Sequence, residues 1–402
     1  MTKFTKSFTQ QEPIPEAGIE RAVEVMRSGR LHRYNALGDE LTETVLLEQE
    51  FAAYNGSRFC LACASGGYAL HIAMRSIGVN SGDKVLCNAF TLAPVPGAIH
   101  NAGAIPVLVE TTDDFTIDLV DLEAKAAADD VHYLMLSHMR GHLVDMDRLM
   151  EICDRHGVSV IEDCAHTMGA TWNGRRSGTF GKVGCFSTQT YKHINSGEGG
   201  LLITDDEEVM ARAIMHSGSY MLYDRHTVGP APEVFAKIRF ETPNYSGRMD
   251  NLRAAILRPQ LSDLDRQCDR WNELYCALEK GLRAIEGVRV PLRPEAEYFV
   301  GSSLQFSLPE LSAEAFARFI RRCEEQGVQI KWFGDADPKG YTSRFDSWRY
   351  LGDAPALPAT EKVLSTMCDI RLPLTFNVED CVVIATVISE VLSETAHINP
   401  AG

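Results

Sequence analysis

Between about residue 58 and residue 165, short apolar runs alternate with longer polar stretches that have helical spacing. The apolar runs are RFCLACA, KVLCNAF, IPVLVE, HYLMLSH and SVIEDCA, and the stretches between them include EAKAAADD and MDRLMEICDRHG. Strands that alternate with helices are typical of βαβ units. We therefore predict an α/β fold with a mainly parallel sheet covered by helices on both faces. Ligands of such sheets bind beyond the carboxyl ends of the strands, so the residues after each apolar run are the candidates for chemistry.

Segments of a different kind lie on either side of this pattern. Residues 15–29 and 40–54 have the apolar spacing of helices. After about residue 250, one long helical stretch, MDNLRAAILRPQLSDLDRQCDRWNELYCALEKGLRAI, leads into shorter strands and helices. We predict a large α/β domain over residues 1–255, which includes the N-terminal helices, and a smaller α+β domain over residues 256–402, joined by the long helix.

Charge and hydropathy exclude several classes of partner. The formal net charge is −16, and the acidic residues are spread along the chain. An acidic surface disfavours non-specific binding to nucleic acid or to anionic membranes. No stretch is apolar enough for a spanning helix, and the N-terminus lacks the apolar core of a signal peptide. We expect no nucleic-acid partner and no membrane association.

The cysteines indicate a reducing compartment. There are 11, an odd number, and they are scattered through apolar segments rather than arranged as a disulfide framework. Cys60 and Cys63 form an isolated C-x-x-C without nearby histidines, which is more typical of a buried strand than of a zinc site. We predict a cytoplasmic protein without a metal centre.

The first candidate for chemistry is SGGYALHIA, which follows an apolar strand and opens a helix. Gly66 and Gly67, after Ser65, would let backbone N–H groups approach an anion at the helix N-terminus. The segment is neither a dinucleotide-binding fingerprint nor a Walker loop. A tight strand-to-helix turn without any ligand explains it equally well at this point.

The second candidate is VIEDCAHTMGA, in which Asp163 ends an apolar strand and His166 follows three residues later. A carboxylate at the end of a central strand is costly unless it has a partner, and a protonated ring nitrogen is a suitable one. Aspartate is also a common helix N-cap, so a purely structural role remains open.

The third candidate is Lys192, in FSTQTYKHINSGEGG. A lysine that attacks a carbonyl group must be neutral, which requires partial desolvation or a neighbouring cation. The glycines that follow would let the next strand pass close to a bulky neighbour. Most lysines are simply solvated surface charges, so the neighbourhood and not the residue type makes Lys192 a candidate. A phosphate cradle, an acid for a pyridinium nitrogen and a lysine for an aldehyde are together what a pyridoxal-phosphate site needs.

The segment from Asp163-Cys-Ala-His166 to Ser187-x4-Lys192-x4-GEGG resembles the DegT-type sugar aminotransferases. The resemblance runs from about residue 20 to residue 390 and includes SGGYALHIA, VLCNAFTLAPVPGAI, SHMRGHLVDMD, PNYSGRMDNLRAAILRPQL and IRLPL. It implies the type I aminotransferase fold, pyridoxal 5′-phosphate as cofactor and a homodimer with shared active sites.

The resemblance also implies roles for individual residues. Lys192 would form the Schiff base and act as the base in the proton shift, and Asp163 would keep the pyridine nitrogen protonated. His166 would lie beside the ring and its 3-hydroxyl. Ser187, together with the turn at Gly66 and Gly67, would bind the phosphate. Asn244 would reach the phosphate of the neighbouring subunit.

Three positions depart from the family pattern. Where an aromatic residue usually stacks on the cofactor ring, this chain has Leu92, with Phe90 two residues earlier, and either could serve. The usual Asn-x-Arg is opened to Asn244-Tyr-Ser-Gly-Arg248, which leaves the geometry of Asn244 and any role of Arg248 open. Gly67 replaces a frequent threonine, which would remove a hydroxyl group from the phosphate site.

Other segments are interpreted as structural or left open. His138 and His142, in SHMRGHL, could line the site, but we expect them to be hydrogen-bonding fillers at a strand end. The aromatic-rich segment 332–350 would either contact substrate or pack between subunits.

From the resemblance we predict amino transfer from an amino acid, with glutamate as the expected donor, to a keto group on a sugar that is often nucleotide-linked, by ping-pong chemistry. The first alternative is a pyridoxal-phosphate-dependent sugar dehydratase, which the retained Lys192 disfavours and the adjacent His193 keeps open. The second is a non-catalytic regulator, which the intact Lys192, Asp163 and Ser187 disfavour. The acceptor is not named by the sequence: a nucleotide sugar, a free keto sugar, a cyclitol and an octulosonate all remain open.

Overall fold

The computed structural model describes residues 2–340 and 344–397. Its strands are β1 (Phe59–Cys63), β2 (Lys84–Asn88), β3 (Ile105–Val109), β4 (Val131–Ser137), β5 (Ser159–Asp163), β6 (Thr171–Trp172), β7 (Arg175–Arg176), β8 (Val183–Ser187), β9 (Gly200–Thr204), β10 (Glu297–Tyr298), β11 (Ser303–Ser307), β12 (Lys331–Trp332) and β13 (Met367–Arg371). Strands β1 to β5 coincide with the five apolar runs, so the predicted alternation of strands and helices is confirmed.

The helices are α1 (Glu16–Ser28), α2 (Glu43–Asn55), α3 (Gly66–Ser76), α4 (Pro94–Asn101), α5 (Leu119–Ala126), α6 (Met146–His156), α7 (Glu207–Ser217), α8 (Pro232–Ile238), α9 (Asn251–Ser262), α10 (Leu264–Arg283), α11 (Ala313–Glu325), α12 (Pro358–Thr366) and α13 (Val378–His397). Short 3₁₀ helices occupy Met139–Gly141, Tyr223–Arg225, Phe345–Ser347 and Arg349–Leu351. No helix in the described part of the chain is both long and apolar enough to cross a membrane.

Seven strands form the main sheet, in the order β1-β9-β8-β5-β4-β2-β3. The pairs β2–β3, β2–β4, β4–β5 and β5–β8 are parallel, whereas β9 is antiparallel to both β8 and β1. The predicted α/β class with a mainly parallel sheet is therefore confirmed. The carboxyl ends of β4, β5 and β8 lie side by side, which brings Ser137, Asp163 and Ser187 to one edge of the sheet.

Helices cover the main sheet on both faces, so successive residues of its central strands are buried on opposite sides. In β5, Val160 packs into the core under α2, α5, α6 and α9, while Ile161 packs into the core under α3, α4 and α7. Strands buried on both faces read as continuous apolar runs, which is why the sequence pattern is strong here.

A second, three-stranded sheet in the order β11-β13-β12 packs against α10, α11 and α13 and forms a third core. Phe4 and Phe8, from the N-terminus, pack into this core beside Phe376. The proposed boundary between residues 255 and 256 stays a prediction.

The prediction of one long helix after residue 250 is wrong at one position. Asp263 has φ −106° and ψ 1°, so it ends α9 and begins α10. Its carboxylate accepts hydrogen bonds from Arg266 and Gln267 in the first turn of α10. An aspartate that bonds to its own neighbours in the chain favours a helix boundary over a helix interior.

Candidate functional site

A cavity of about 370 Å³ lies at the carboxyl ends of the central strands. Most of the candidates named from the sequence line it: Gly66, Gly67, Leu92, Asp163, His166, Ser187 and Lys192. The fold thus brings together residues that lie in four separate segments of the chain. Asn244 is outside this lining and exposed.

The N-terminus of α3 forms one end of the cavity. The Ser65 side chain accepts the N–H of Tyr68 at 3.1 Å and caps the helix. A Cβ atom on Gly66 would lie 2.8 Å from Cβ of Ser187, so only glycine allows the helix to begin this close to β8. The Ser187 hydroxyl accepts the N–H of Gln189 at 3.3 Å, which leaves its own proton free for an anion. The arrangement is an anion cradle of backbone N–H groups and a hydroxyl group.

The glycines that follow Lys192 are explained by the same cradle. Gly199 has φ +155°, and a Cβ atom there would overlap Oγ1 of Thr188. A Cβ atom on Gly200 would overlap the carbonyl oxygen of Ser65. The bulky neighbour expected from the sequence is therefore the backbone at Ser65, and the glycines allow β9 to press against it.

Asp163 ends β5 with its carboxylate buried. Its Oδ2 accepts the hydroxyl of Ser137 at 3.3 Å, and its Oδ1 accepts the N–H of Ala165 at 3.1 Å. No α-helix begins after Asp163, so the helix-cap alternative does not apply. Burial raises the pKa of Asp163 despite these hydrogen bonds and the charge of Lys192. Among residues 2–340 and 344–397 no ion pair within 4 Å is formed by this carboxylate, which would therefore gain from a cationic ligand.

Lys192 and His166 are in direct contact. Nζ of Lys192 lies 3.0 Å from Nε2 of His166, and the backbone N–H of Arg140 points to Nδ1 of His166 at 3.4 Å. Burial lowers the pKa of Lys192 to about 7; the charge of Asp163 opposes this shift, and that of Arg140 adds to it. Burial, with Lys192 next, also lowers the pKa of His166 well below its usual range. With Nδ1 as an acceptor, Nε2 of the neutral imidazole carries the proton and donates to the lysine amine when that amine is neutral.

Leu92 and Phe90 occupy different environments. Leu92 is in the cavity wall, whereas Phe90 is buried in the core, where its ring centroid lies 5.0 Å from that of Phe333 in an edge-on arrangement. An apolar contact to a ligand in the cavity would therefore come from Leu92.

Asn244 and Arg248 belong to a loop that is outside the cavity lining but pairs with the chain just before Ser65, where the carbonyl of Gly247 accepts the N–H of Ala64 at 2.8 Å. Oδ1 of Asn244 accepts the N–H of Ser246 at 2.9 Å. Arg248 donates to the carbonyl of Gly218 and to the hydroxyl of Ser246, each at 3.0 Å. In this chain Arg248 shapes the loop, and the contact of Asn244 with a neighbouring subunit stays a prediction.

Three histidines near the site lie outside the cavity lining. His142 bonds to Gln305 at 2.7 Å, and His193 packs edge-on against Trp271 with a centroid separation of 5.1 Å. Burial lowers the pKa of His193 to about 3. His138 bonds to Glu162 at 3.0 Å.

His138, Glu162 and Cys164 are close enough together to suggest a metal site. Glu162, however, also accepts three backbone N–H groups, from Gly178, Phe180 and Gly181, at 2.7–2.8 Å. With both carboxylate oxygens already engaged, this group is explained as a structural hydrogen-bond network that holds the turn after β7.

The aromatic-rich segment 332–350 is divided between two environments. Phe333, Phe345 and Trp348 are buried in the core under α3 and α4, and Tyr350 is exposed near His100. Residues 341–343 lie outside the described part of the chain. A role at a subunit contact or toward substrate stays open for the exposed part.

Sequence reasoning missed a cation cluster beside the cavity, which consists of Arg140, Lys331 and Arg371 around Asp369. Nη2 of Arg140 lies 3.3 Å and Nζ of Lys331 lies 3.6 Å from Oδ2 of Asp369. Arg140 and Arg371 line the cavity itself. The available signal was the arginine in SHMRGHL and in IRLPL, each placed at a strand end, but nothing in the sequence shows that the two meet.

Known proteins resemble this chain over most of its length. The family model described as the DegT/DnrJ/EryC1/StrS aminotransferase family matches residues 14–389. A pleiotropic regulatory protein of Geobacillus stearothermophilus is 35% identical over 311 residues, which is 76% of each chain. A dTDP-3-amino-3,4,6-trideoxy-alpha-D-glucose transaminase of Streptomyces venezuelae is 31% identical over 359 residues, 86% of this chain and 88% of the relative.

The fold has solved counterparts. The crystal structure of DesV from S. venezuelae, in complex with a ketimine intermediate, superposes with a TM-score of 0.78 and 26% identity and covers 93% of each chain. The sequence resemblance and the type I aminotransferase fold are thereby confirmed. The match over residues 14–389 shows that the chain belongs to the DegT/DnrJ/EryC1/StrS aminotransferase family.

Proposed function

We propose that this chain is a pyridoxal-phosphate-dependent aminotransferase that moves an amino group from an amino acid, with glutamate as the expected donor, to the keto group of a sugar. The single observation that carries the proposal is the geometry around Lys192. A buried amine with a pKa of about 7 lies in the same cavity as an unpaired carboxylate and an anion cradle. These are the three groups that pyridoxal phosphate requires of a protein.

The residues present fit the cofactor. The N–H groups after Ser65 and the hydroxyl of Ser187 would hold the phosphate, and the glycine at 66 keeps that cradle open. Asp163 would hold a proton on the ring nitrogen, since its carboxylate lacks a cationic partner in the described chain. Leu92 would cover one face of the ring by apolar contact. When bound, pyridoxal phosphate supplies the carbonyl carbon that carries the amino group and a ring that withdraws electrons.

Lys192 is the proton carrier of the reaction. With a pKa of about 7, its amine can both accept and release a proton at neutral pH at little cost in free energy. His166 orients the amine through the 3.0 Å contact, and the Arg140 N–H holds the His166 ring in place. The cavity walls, which include Leu92, Pro94 and Met139, limit the access of water to this proton.

The structure bears on both alternatives. A dehydratase of this family would have a histidine in place of the lysine or beside it in the site. His193 instead packs against Trp271 outside the cavity lining. A regulatory role is suggested by the Geobacillus relative, which is a pleiotropic regulatory protein. The intact set of Lys192, Asp163 and Ser187 in one cavity favours an enzyme.

A spectroscopic titration tests the proposal. The purified chain loaded with pyridoxal phosphate should lose its visible absorbance band when glutamate is added and recover it when 2-oxoglutarate is added. A band that glutamate leaves unchanged, together with turnover of no other amino acid, would return the chain to the regulator reading. Lys192→Ala protein, treated in the same way, is the control.

We also propose a homodimer in which Asn244 contacts the phosphate site of the neighbouring subunit. This agrees with its exposed position outside the cavity of its own chain. Mixing Lys192→Ala chains with Asn244→Ala chains gives hybrids in which one site carries both substitutions and the other carries none. Such hybrids should regain roughly half of the activity per dimer, as one intact site in an isologous pair implies. Inactive, well-exchanged hybrids of two inactive parents would contradict the shared site.

A further inference from the structure

The cation cluster carries more positive charge than the neighbouring carboxylate neutralises. Arg140 and Arg371 line the cavity and face one buried carboxylate, Asp369, which Lys331 also approaches. Two guanidinium groups against one carboxylate leave an excess of positive charge in the cavity wall. Burial, followed by the charge of Arg140, lowers the pKa of Lys331 to about 8 and also lowers that of Arg371. A buried excess of like charge is costly unless an anion binds to it.

Arg140 supplies the unused hydrogen-bond donors of the cluster on which the inference depends. Its side chain is 6% exposed, and its Nε and Nη2 atoms have no hydrogen-bond partner within the described part of the chain, because the 3.3 Å approach of Nη2 to Asp369 lacks hydrogen-bond geometry. The same side chain lines the cavity. A buried guanidinium with unused N–H groups at the wall of a cavity indicates a ligand with matching acceptors.

The cluster is held in place by neighbouring residues. Gln305 donates to Oδ1 of Asp369 at 2.7 Å and accepts from His142 at 2.7 Å, which fixes the carboxylate. Arg140 has φ +56°, a left-handed conformation that is unfavourable for residues other than glycine. Arg371 stacks on the ring of Tyr191, one residue before Lys192, with Cζ 3.7 Å from the ring centroid. Backbone strain and a fixed counter-ion at one place are typical of a binding site.

In ping-pong chemistry both substrates occupy the same cavity in turn. A carboxylate of the amino donor can neutralise the cluster in the first half-reaction. A neutral acceptor would leave the two guanidinium groups without an added anion in the second half-reaction. The free-energy cost of the buried positive charge would then remain. An acceptor that carries its own anionic group removes this cost.

We propose that the cation cluster binds a carboxylate group of the acceptor, so that the substrate of this enzyme is an acidic keto sugar. The inference rests on the proposed aminotransferase function. A carboxylate is favoured over the diphosphate of a nucleotide sugar because the cluster is buried: Asp369 is 0% exposed. In a cavity of about 370 Å³ that also holds the cofactor, the nucleotide would have to extend toward the opening, away from Asp369.

Binding of unreactive sugars tests the proposal. The holoenzyme is first converted to its amino form with glutamate and freed of excess donor. Calorimetry then measures the binding of glucuronate, of glucose and of UDP-glucose, which carry a carboxylate, no charge and a diphosphate. Glucuronate should bind more tightly than glucose. Arg371→Gln and Arg140→Gln should each weaken glucuronate about 10- to 100-fold and leave glucose unchanged, because each removes a hydrogen bond to a charged group. Arg155→Gln, which removes an exposed guanidinium on α6, is the matched control.

Three binding results would overturn the proposal. Equal binding of glucuronate and glucose, or a preference that survives in both variants, would show that the cluster does not select a carboxylate. Weakening of UDP-glucose beyond that of glucuronate in the two variants would assign the cluster to a diphosphate. If Arg140→Gln fails to fold, Arg371→Gln alone decides. Conversion of the holoenzyme by glutamate is recorded first, so that failure there counts against the proposed function and not against the acidic acceptor.

Discussion

Asp163 and Asp369 are two buried aspartates, one in the cavity lining and one behind the arginines of the cavity wall, and they differ in what surrounds them. Asp163 has hydrogen bonds but no ion pair in the described chain, and burial raises its pKa. Burial acts on Asp369 in the same direction, but the charges of Arg140 and Lys331 outweigh it and lower its pKa. The first carboxylate has no cationic partner in the described chain and could pair with a cationic ligand. The second holds nearby cations, which we propose bind an anionic ligand.

The largest expected effect lies on the Asp163 side of the cavity. Lys192→Ala should reduce transamination by up to about 10⁴-fold, since it removes the group that we propose carries the proton. Borohydride reduction of the holoenzyme should attach the cofactor to the peptide that contains Lys192. Lys182→Ala, which removes an exposed lysine, is the control and should change neither result. A label on another peptide would refute the whole site assignment.

Asp163→Asn should affect activity and stability differently. Half-transamination with glutamate should slow by about 10²–10⁴-fold, because the amide cannot hold a proton on the ring nitrogen. Because the pKa of Asp163 is raised on folding, its ionised carboxylate destabilises the folded, cofactor-free protein at neutral pH. Replacing this carboxylate by an amide should therefore not reduce the free energy of unfolding. Stopped-flow absorbance and urea denaturation measure the two quantities. Near-normal turnover would assign Asp163 a purely structural role.

Asp369→Asn should show the opposite pattern. The substitution leaves Arg140 and Lys331 without their buried counter-ion, which should cost about 3–5 kcal/mol in the free energy of unfolding. Because the folded pKa is lowered, the contribution of Asp369 is present above its usual pKa and is lost as the pH falls. Asp130→Asn, which removes an exposed carboxylate, is the control and should leave stability nearly unchanged. An equally stable Asp369→Asn protein would show that the cluster is not held by this charge.

A smaller effect is expected at the anion cradle. Gly66→Ala places a methyl group 2.8 Å from Cβ of Ser187, so helix α3 and strand β8 must separate. The affinity for pyridoxal phosphate should fall about 10- to 100-fold through weakened hydrogen bonds to the phosphate. Gly97→Ala is the matched control, since a methyl group there has no neighbour within 4 Å. Equal affinities of the two variants, measured by equilibrium titration, would place the phosphate elsewhere.

The smallest effect is a shift in pH dependence. Capture of pyridoxal phosphate by the cofactor-free protein requires the neutral amine, so its rate should rise with pH through about 7 and level off above that value. The charge of Asp163 raises the pKa of Lys192, so Asp163→Asn should move the midpoint to lower pH. A rate that continues to rise toward the pKa of an ordinary lysine would mean that Lys192 is not desolvated.

The sequence by itself determined the α/β class, the strand ends and the segments that carry Gly66, Asp163, Ser187 and Lys192. These features are local: a strand buried on both faces reads as an apolar run, and the residue that ends it faces the ligand edge of the sheet. For the same reason the family motif could be read from one short block. The individual site roles stay predictions until the variants above are measured.

Only the tertiary structure decided what depends on packing between distant segments. It placed Leu92 and not Phe90 at the cavity, removed His193 from it and interrupted the long helix at Asp263. It also assembled the cation cluster, because Arg140 follows a strand of the main sheet while Asp369 and Arg371 lie on a strand of the second sheet. The charge of a side chain is written in the sequence, but the low-dielectric contact that gives it a partner and shifts its pKa exists only once the two sheets pack together.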